Sequence, residues 1–158
     1  SGIIRSPRSY SATTSNSANL WVDTDGGFYR STSSGKYKKD VETMEDTYAD
    51  AILALRPVWF RSTATADKEE WSHWGFIAEE VAAVDPRLVY YGPQQETDAE
   101  GNDLFEEDAN GASVPVYKKD SDGKVLEAPE GVQYDRLVPH LLNIIQRLDE
   151  RVKTLEGS

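Results

Sequence analysis

The chain has 158 residues and a mass of 17.6 kDa, enough for one domain with a short appended segment. Lysine and arginine number 17 against 28 aspartates and glutamates, a net charge of −11, which argues against nucleic acid or an anionic membrane as partner, since those demand a basic footprint. Cysteine is absent, which excludes disulfide scaffolds, thiolate zinc sites and cysteine nucleophiles together, and neither a membrane-length apolar run nor a signal-peptide pattern is present.

The charge is uneven, and the unevenness marks a boundary. Residues 1–32 hold Arg5, Arg8 and Arg30 against Asp23 and Asp25, a net of +1, so residues 33–158 carry −12. This first segment is rich in Ser and Thr and has two short alternating runs, Asn19-Leu20-Trp21-Val22 and Phe28-Tyr29-Arg30-Ser31. Asp25-Gly26-Gly27 between them is hairpin-turn chemistry, because glycine tolerates positive φ. Two short strands bury no core of their own. The segment is therefore expected to be the end of a larger β-structure, a β-stalk remnant. The natural ends are expected to lie beyond Ser1-Gly2 and Gly157-Ser158.

After residue 40 the apolar period changes. Val41, Met44, Tyr48, Ile52 and Leu55 recur at helical spacing, with Asp40 as the expected N-cap and Pro57 as the stop. Val58-Trp59-Phe60-Arg61 and Trp71-Ser72-His73-Trp74 predict two strands joined by the polar stretch 62–70. Phe76 to Val84 predicts a short helix ended by Asp85-Pro86, and Leu88-Val89-Tyr90-Tyr91 predicts a further strand. Residues 92–131 are acidic and turn-rich. There Asp122-Gly123 is expected to close a hairpin between Val114-Pro115-Val116-Tyr117 and Lys124-Val125-Leu126.

The clearest pattern comes last. Tyr134, Val138, Leu141, Ile145, Leu148, Val152 and Leu155 are separated by 4, 3, 4, 3, 4 and 3 residues. This is an unbroken heptad seam, with Val138, Ile145 and Val152 at a and Leu141, Leu148 and Leu155 at d. With Asp135 as N-cap, Pro139 falls in the first turn, where a missing N–H has no intrahelical partner to lose. Leu137 and Ile144 at g and Leu142 at e widen the apolar face beyond a two-stranded seam. That breadth favours three or more helices, or a seam with added contacts to the domain body. The alternative is an amphipathic helix packed on its own domain; a terminal seam of this regularity is most simply an oligomerisation device. The expected class is α+β: the β-stalk remnant, a small mixed helix and strand body with a β-hairpin insert, and a long C-terminal coiled-coil helix over residues 135–156.

Candidates for chemistry are few. His73 and His140 have no supporting His, Cys or acidic spacing and read as structural. The acidic loop Asp98, Glu100, Asp103, Glu106, Glu107 and Asp108 fails the EF-hand template, because Gly101 precedes Asn102 where the pattern wants glycine after it. A solvated acidic hairpin is the simpler reading, and no metal or cofactor site is assigned. No carboxylate pair for glycoside hydrolysis stands out among 28 acids. Ser31-Thr32-Ser33-Ser34-Gly35-Lys36-Tyr37-Lys38-Lys39-Asp40 is different. A serine hydroxyl becomes a nucleophile when a nearby amine takes its proton, and lysine does so when partly desolvated or crowded by other cations. Lys36, Lys38 and Lys39 lie together, so mutual repulsion helps keep one neutral. By spacing alone such a stretch is more often only a linker.

Tyr29-Arg30-Ser31-Thr32-Ser33-Ser34-Gly35-Lys36-Tyr37-Lys38-Lys39-Asp40-Val41 resembles the start of the C-terminal intramolecular chaperone, or auto-processing, domain of phage tail spikes, tail fibres and endosialidases. That domain type is similar to the self-cleaving region of myelin regulatory factor. Three further segments fit in order. Ala51-Ile52-Leu53-Ala54-Leu55-Arg56-Pro57-Val58 is similar to the family's first helix and its proline exit. Gly75-Phe76-Ile77-Ala78-Glu79-Glu80-Val81, followed by Asp85-Pro86, is similar to its second helix, and Tyr134-Asp135-Arg136-Leu137-Val138-Pro139 to the start of its terminal helix. The resemblance covers residues 28–156, with 92–131 matching only loosely.

The resemblance implies an intertwined homotrimer that folds the upstream fibre or spike segment of the same chain as its client and is then released by autoproteolysis. In that family the cut falls immediately before a serine, and a lysine five residues later completes a Ser–Lys dyad. Carried over, the nucleophile is Ser33, the base Lys38 and the broken bond Thr32–Ser33. The chain is thereby divided into an upstream segment, 1–32, and a chaperone domain, 33–158, at the charge boundary. Two positions depart from the family pattern: Ser34 stands where Asp is frequent, and Gly35 where Arg is frequent. Ser34 is also a rival nucleophile. The resemblance further implies a single-turnover serine endopeptidase needing no cofactor. The protein would be a tail precursor in the virion, with its chaperone part made in the host cytoplasm. Two readings of other classes stand beside it: a non-cleaving trimerisation and capping module, and a receptor- or glycan-binding fibre tip using Trp59, Trp71 and Trp74.

Overall fold

The computed structural model of the chain describes residues 20–22, 27–64 and 66–157. Two compact units divide the chain, Ser1–Val41 and Glu42–Ser158. In the first, β1 (Leu20–Val22) and β2 (Phe28–Arg30) pair antiparallel, with Leu20 opposite Arg30, Trp21 opposite Tyr29 and Val22 opposite Phe28. Strand alternation puts Leu20, Val22 and Phe28 on one face and Trp21 and Tyr29 on the other, and all six strand residues are exposed. The Asp25-Gly26 part of the expected turn lies outside the described residues. A single 3-10 turn, Gly35–Tyr37, follows.

The first helix starts later than the sequence predicts. Asp40, the expected N-cap, takes a φ of 51° instead, and α1 (Asp46–Ala51) begins only at Asp46. Val41 and Thr43 are β-branched and lose side-chain freedom in a helix, which weakens the helical preference of Glu42, Met44 and Glu45 around them. The chain tightens into a 3-10 turn, Ile52–Ala54, ahead of Pro57. β3 (Val58–Arg61) pairs antiparallel with β4 (Ser72–Gly75), bringing Trp59 opposite Trp74 and Phe60 opposite His73. α2 (Ala78–Val84) starts two residues later than its apolar run, and Asp85-Pro86 ends it as expected. The Asp85 carboxylate then caps a 3-10 turn, Pro86–Leu88, accepting the Arg87 N–H at 2.9 Å. β5 (Val89–Pro93) pairs antiparallel with β8 (Glu127–Val132), and α3 (Tyr134–Glu156) closes the chain. α3 starts one residue before the expected cap Asp135, so Pro139 lies inside the helix and the Asp135 carbonyl forgoes its helical donor.

The core is small. Ile52, Val81, Leu88, Val89 and Leu137 bury together, one from each element that meets there, with Leu55, Phe76 and Ile144 packed against them. The start of α3 is pinned over this core by Gln133, whose backbone N–H donates to the Leu88 carbonyl and whose amide donates to the Val89 carbonyl, each at 2.8 Å. Gly75 lets Tyr134 approach: a Cβ there would stand 2.5 Å from the Tyr134 hydroxyl, which accepts the Phe76 N–H at 3.1 Å.

The insert between β5 and β8 is built on one turn used three times. Asp98, Asp108 and Asp120 each accept, through Oδ1, the backbone N–H groups two and four residues ahead at 2.8–3.0 Å. Each is followed three residues later by a glycine at positive φ, Gly101, Gly111 and Gly123. The spacing Asp-x-x-Gly is the turn signal, and it accounts for part of the acidity. β6 (Phe105–Glu107) pairs with β7 (Ser113–Pro115) around the second turn. Val114 and Pro115 therefore pair with 105–106 rather than with 124–126, and the Asp122-Gly123 turn joins Lys119 to Val125. Three ladders then meet at a ring: Glu96 N–H donates to Val116 O, Val116 N–H to Leu104 O, and Leu104 N–H to Glu96 O, at 2.8, 3.0 and 2.8 Å. Gln94, Leu126 and Lys118 close a second ring with three bonds of 2.8 Å. Such junctions pair backbone groups that the edges of a lone hairpin would leave open.

Candidate functional site

The serine and lysine singled out by resemblance meet. Lys38 Nζ donates to Ser33 Oγ at 2.9 Å. The cause is local. Within the 3-10 turn Tyr37 N–H donates to Ser34 O and Lys38 N–H to Gly35 O, each at 3.0 Å. The backbone doubles back where five extended residues would span roughly 17 Å. Lys36 goes elsewhere, its Nζ lying 4.8 Å from the centroid of the Tyr37 ring. Ser34 heads the turn and makes no side-chain cap hydrogen bond. Gly35 has no positive φ, and nothing lies within 4 Å of a Cβ built on it. A larger residue fits there without backbone strain. Thr32, Ser33 and Lys38 are all exposed. Chemically, the arrangement sets an amine beside a hydroxyl whose own residue supplies the nitrogen of the Thr32–Ser33 bond.

α3 presents two faces. Leu137 is buried at 6% exposure and Ile144 packs against the same core, so these two g residues serve the domain body. The seven residues Tyr134, Val138, Leu141, Ile145, Leu148, Val152 and Leu155 are between 48% and 86% exposed. The heptad seam is thus the face this domain leaves open. Tyr134 serves both sides, since its hydroxyl is engaged by Phe76 and its ring lies 6.0 Å from the Phe76 ring. α3 is tied to α1 by polar contacts: Asn143 Nδ2 donates to Asp46 at 3.1 Å, and Arg147 donates to the Asp50 carboxylate through both terminal nitrogens. The Arg147 hydrogen bonds hold the Asp50 carboxyl below the usual carboxylate range, against a smaller opposing effect of desolvation.

Residues 33–90 match the family model for the chaperone of endosialidase. This is the family whose motifs the sequence resembles, and it supports a chaperone role. The match to the chaperone of endosialidase starts at Ser33 and carries on through α1, β3, β4 and α2. No curated protein matches the chain.

Other residues fall into place around the chaperone-family segment. His73 packs its ring 5.6 Å from Phe60, and its buried Nε2 has no hydrogen-bond partner; His140 Nδ1 lies 2.8 Å from the Arg136 carbonyl. The tryptophans are not core residues. Trp59, Trp71 and Trp74 all stand exposed, Trp74 at 82%; Trp59 and Trp74 share the hairpin face opposite Phe60 and His73, and Trp71 precedes β4. Among the described residues no group of His, Cys, Asp and Glu is arranged to hold a metal ion, and no helix is long and apolar enough to cross a membrane. Sequence reasoning missed one cluster. Asp85, only 7% exposed, is gripped by the Arg87 guanidinium at 2.7–3.2 Å, and that guanidinium lies 5.0 Å from the centroid of the Tyr48 ring. Asp-Pro-Arg was read only as a helix stop; the arginine two residues after the capping aspartate was the available signal.

Proposed function

We propose that this chain is an intramolecular chaperone domain that trimerises, folds the fibre or spike segment preceding it in the same chain, and then cuts itself free at Thr32–Ser33. The observation that carries the reading is the 2.9 Å contact between Lys38 Nζ and Ser33 Oγ at the first residue of the family match. In the reaction, Ser33 Oγ attacks the carbonyl carbon of Thr32 while neutral Lys38 takes the hydroxyl proton. Nucleophile and electrophile are neighbours in the chain, so no substrate need be captured. The C–N bond then breaks, Lys38 returns the proton to the departing Ser33 amine, and an ester links Thr32 to Ser33 Oγ. Water hydrolyses this ester, leaving the Thr32 carboxylate and restoring the Ser33 hydroxyl. The exposed seam from Tyr134 to Leu155 supports a homotrimer, whose three terminal helices would form a coiled coil. Such a precursor belongs to a phage tail, with residues 1–32 remaining on the virion side of the cut.

Intact-mass analysis of the full chain tests the cut. The parent is expected to give pieces 1–32 and 33–158, and Ser33→Ala to remain whole at unchanged oligomer size. A new N-terminus at Ser34 in Ser33→Ala would move the nucleophile one residue on. No cleavage of the parent would leave a trimerisation and capping module. A second reading, a receptor- or glycan-binding tip, draws on the exposure of Trp59, Trp71 and Trp74, and a glycan-binding screen tests it.

A further inference from the structure

Beside the heptad seam runs a groove of about 950 Å³ in the angle between α1 and α3, walled by Leu53, Ile144, Leu148, Arg151 and Leu155. Its two walls run in the same direction, because the hydrogen-bonded pairs Asp46–Asn143 and Asp50–Arg147 are both 97 residues apart in sequence. Continuing that register sets Leu53 beside the turn of α3 that carries Glu150 and Arg151. There α1 and its 3-10 extension end, and Leu53 is left 69% exposed although Ile52 next to it is buried. Leu148 and Leu155 belong to both surfaces: they are d residues of the seam and walls of the groove. Whatever covers the seam therefore reaches the groove.

We infer that this groove receives the terminal helix of a second copy of the chain, seated parallel and in register, so that Leu53 is covered and Arg151 pairs with Glu156 of the partner subunit. The inference rests on the trimer reading above and names its contacts. Charge at the flanks of the seam selects the occupant. Beyond the first turn of the helix the charged e and g positions are Asp149, Arg151 and Glu156: Asp149 is taken within its own helix by Lys153 at 2.7 Å, while Arg151 and Glu156 are in no salt bridge among the described residues. They lie five residues apart, which is wrong for a pair within one helix. In parallel helices, however, five residues is the offset at which a g residue meets the e residue of its neighbour. An antiparallel neighbour would set g against g and place Arg151 beside apolar Ile144 or Leu137. The opposite-signed pair is formed only in register.

The test uses the full chain, which has no cysteine of its own. Leu155→Cys is expected to oxidise to a covalent dimer within the trimer, since identical d positions adjoin only in a parallel, in-register seam. Arg151→Glu and Glu156→Arg are each expected to raise the trimer dissociation constant about 10-fold at low salt, three pairs being lost at once, and the double swap to restore it. Leu53→Ser is expected to weaken assembly in sedimentation with an unchanged far-ultraviolet spectrum. A trimeric parent with no Leu155→Cys cross-link, or charge changes that add rather than compensate, overturns this inference and leaves the trimer standing. A monomeric parent overturns both.

Discussion

Replacing Lys38 with arginine separates what lysine does as a base from what it does as a cation. Arginine keeps the positive charge and a donor for Ser33 Oγ, the contact now made at 2.9 Å, but it does not release its proton in proteins. The hydrogen bond therefore persists while the proton acceptor is lost. A positioned general base contributes about 100- to 10,000-fold to a rate, so Lys38→Arg is expected to slow self-cleavage by that factor, about 2.7–5.4 kcal/mol of barrier. The intrachain proximity of Ser33 to the Thr32 carbonyl is untouched, so slow cleavage should survive in Lys38→Arg where Ser33→Ala shows none. The assay is a time course of intact mass on purified full chain, with sedimentation in parallel to show equal assembly. Lys36→Arg is the control, because Lys36 Nζ lies over Tyr37 rather than at Ser33. Cleavage of Lys38→Arg at the parental rate would refute Lys38 as the base.

Two further outcomes are expected. Ile145→Asp combined with Leu148→Asp should give monomers or aggregates with helix content retained, since both side chains are at least half exposed in the single chain; a trimer persisting in sedimentation would show that the seam is not the assembly element. Asp85 is held below the ordinary carboxylate range chiefly by the Arg87 hydrogen bond, so its stabilising effect is complete above the unfolded value of about 3.9 and is lost as pH falls through the lower folded value. Asp85→Asn should cost about 1–2 kcal/mol near neutrality, Arg87 being largely solvated, and should flatten the acid limb of a thermal-melt series below about pH 4.

Local signals were legible and non-local ones were not. The short aromatic runs 58–61 and 71–74 marked both strands, the second one residue early, and Asp-Pro marked the end of α2. The helical spacing from Val41 to Leu55 reported a face, though, and not where the helix begins; Asp40 at positive φ shows how little periodicity constrains a start. In the insert, Asp and Gly marked turns, but the identity of each ladder depends on rings joining residues 96, 104 and 116, which no local pattern encodes. The site divides the same way. A five-residue Ser–Lys spacing matches neither helix nor strand period, so it was readable only by resemblance, and the Gly35–Tyr37 turn supplies the physical reason for that spacing. Arg147 with Asp50, 97 residues apart, had no sequence signal at all.

Exposure of the Ser33–Lys38 pair has a mechanistic consequence. A lysine serves as base where desolvation or neighbouring cations favour its neutral form, and developing charge on an attacked carbonyl is stabilised best where water is excluded. Water is not excluded from a turn in which Thr32, Ser33 and Lys38 all face solvent. Under the proposed function, assembly is the event that would supply a drier environment. The same chain leaves its heptad seam open, and among the described residues its core cluster holds five buried side chains, so assembly would also add to what the fold buries. If one event supplies both, the cut waits for the trimer, and the Ile145→Asp, Leu148→Asp variant should lose cleavage along with assembly. The parent should then cleave at a rate that rises with protein concentration until the trimer is saturated. A rate independent of concentration, in a sample shown to be monomeric, would place the whole reactive environment within residues 29–41 and separate the chemistry from assembly.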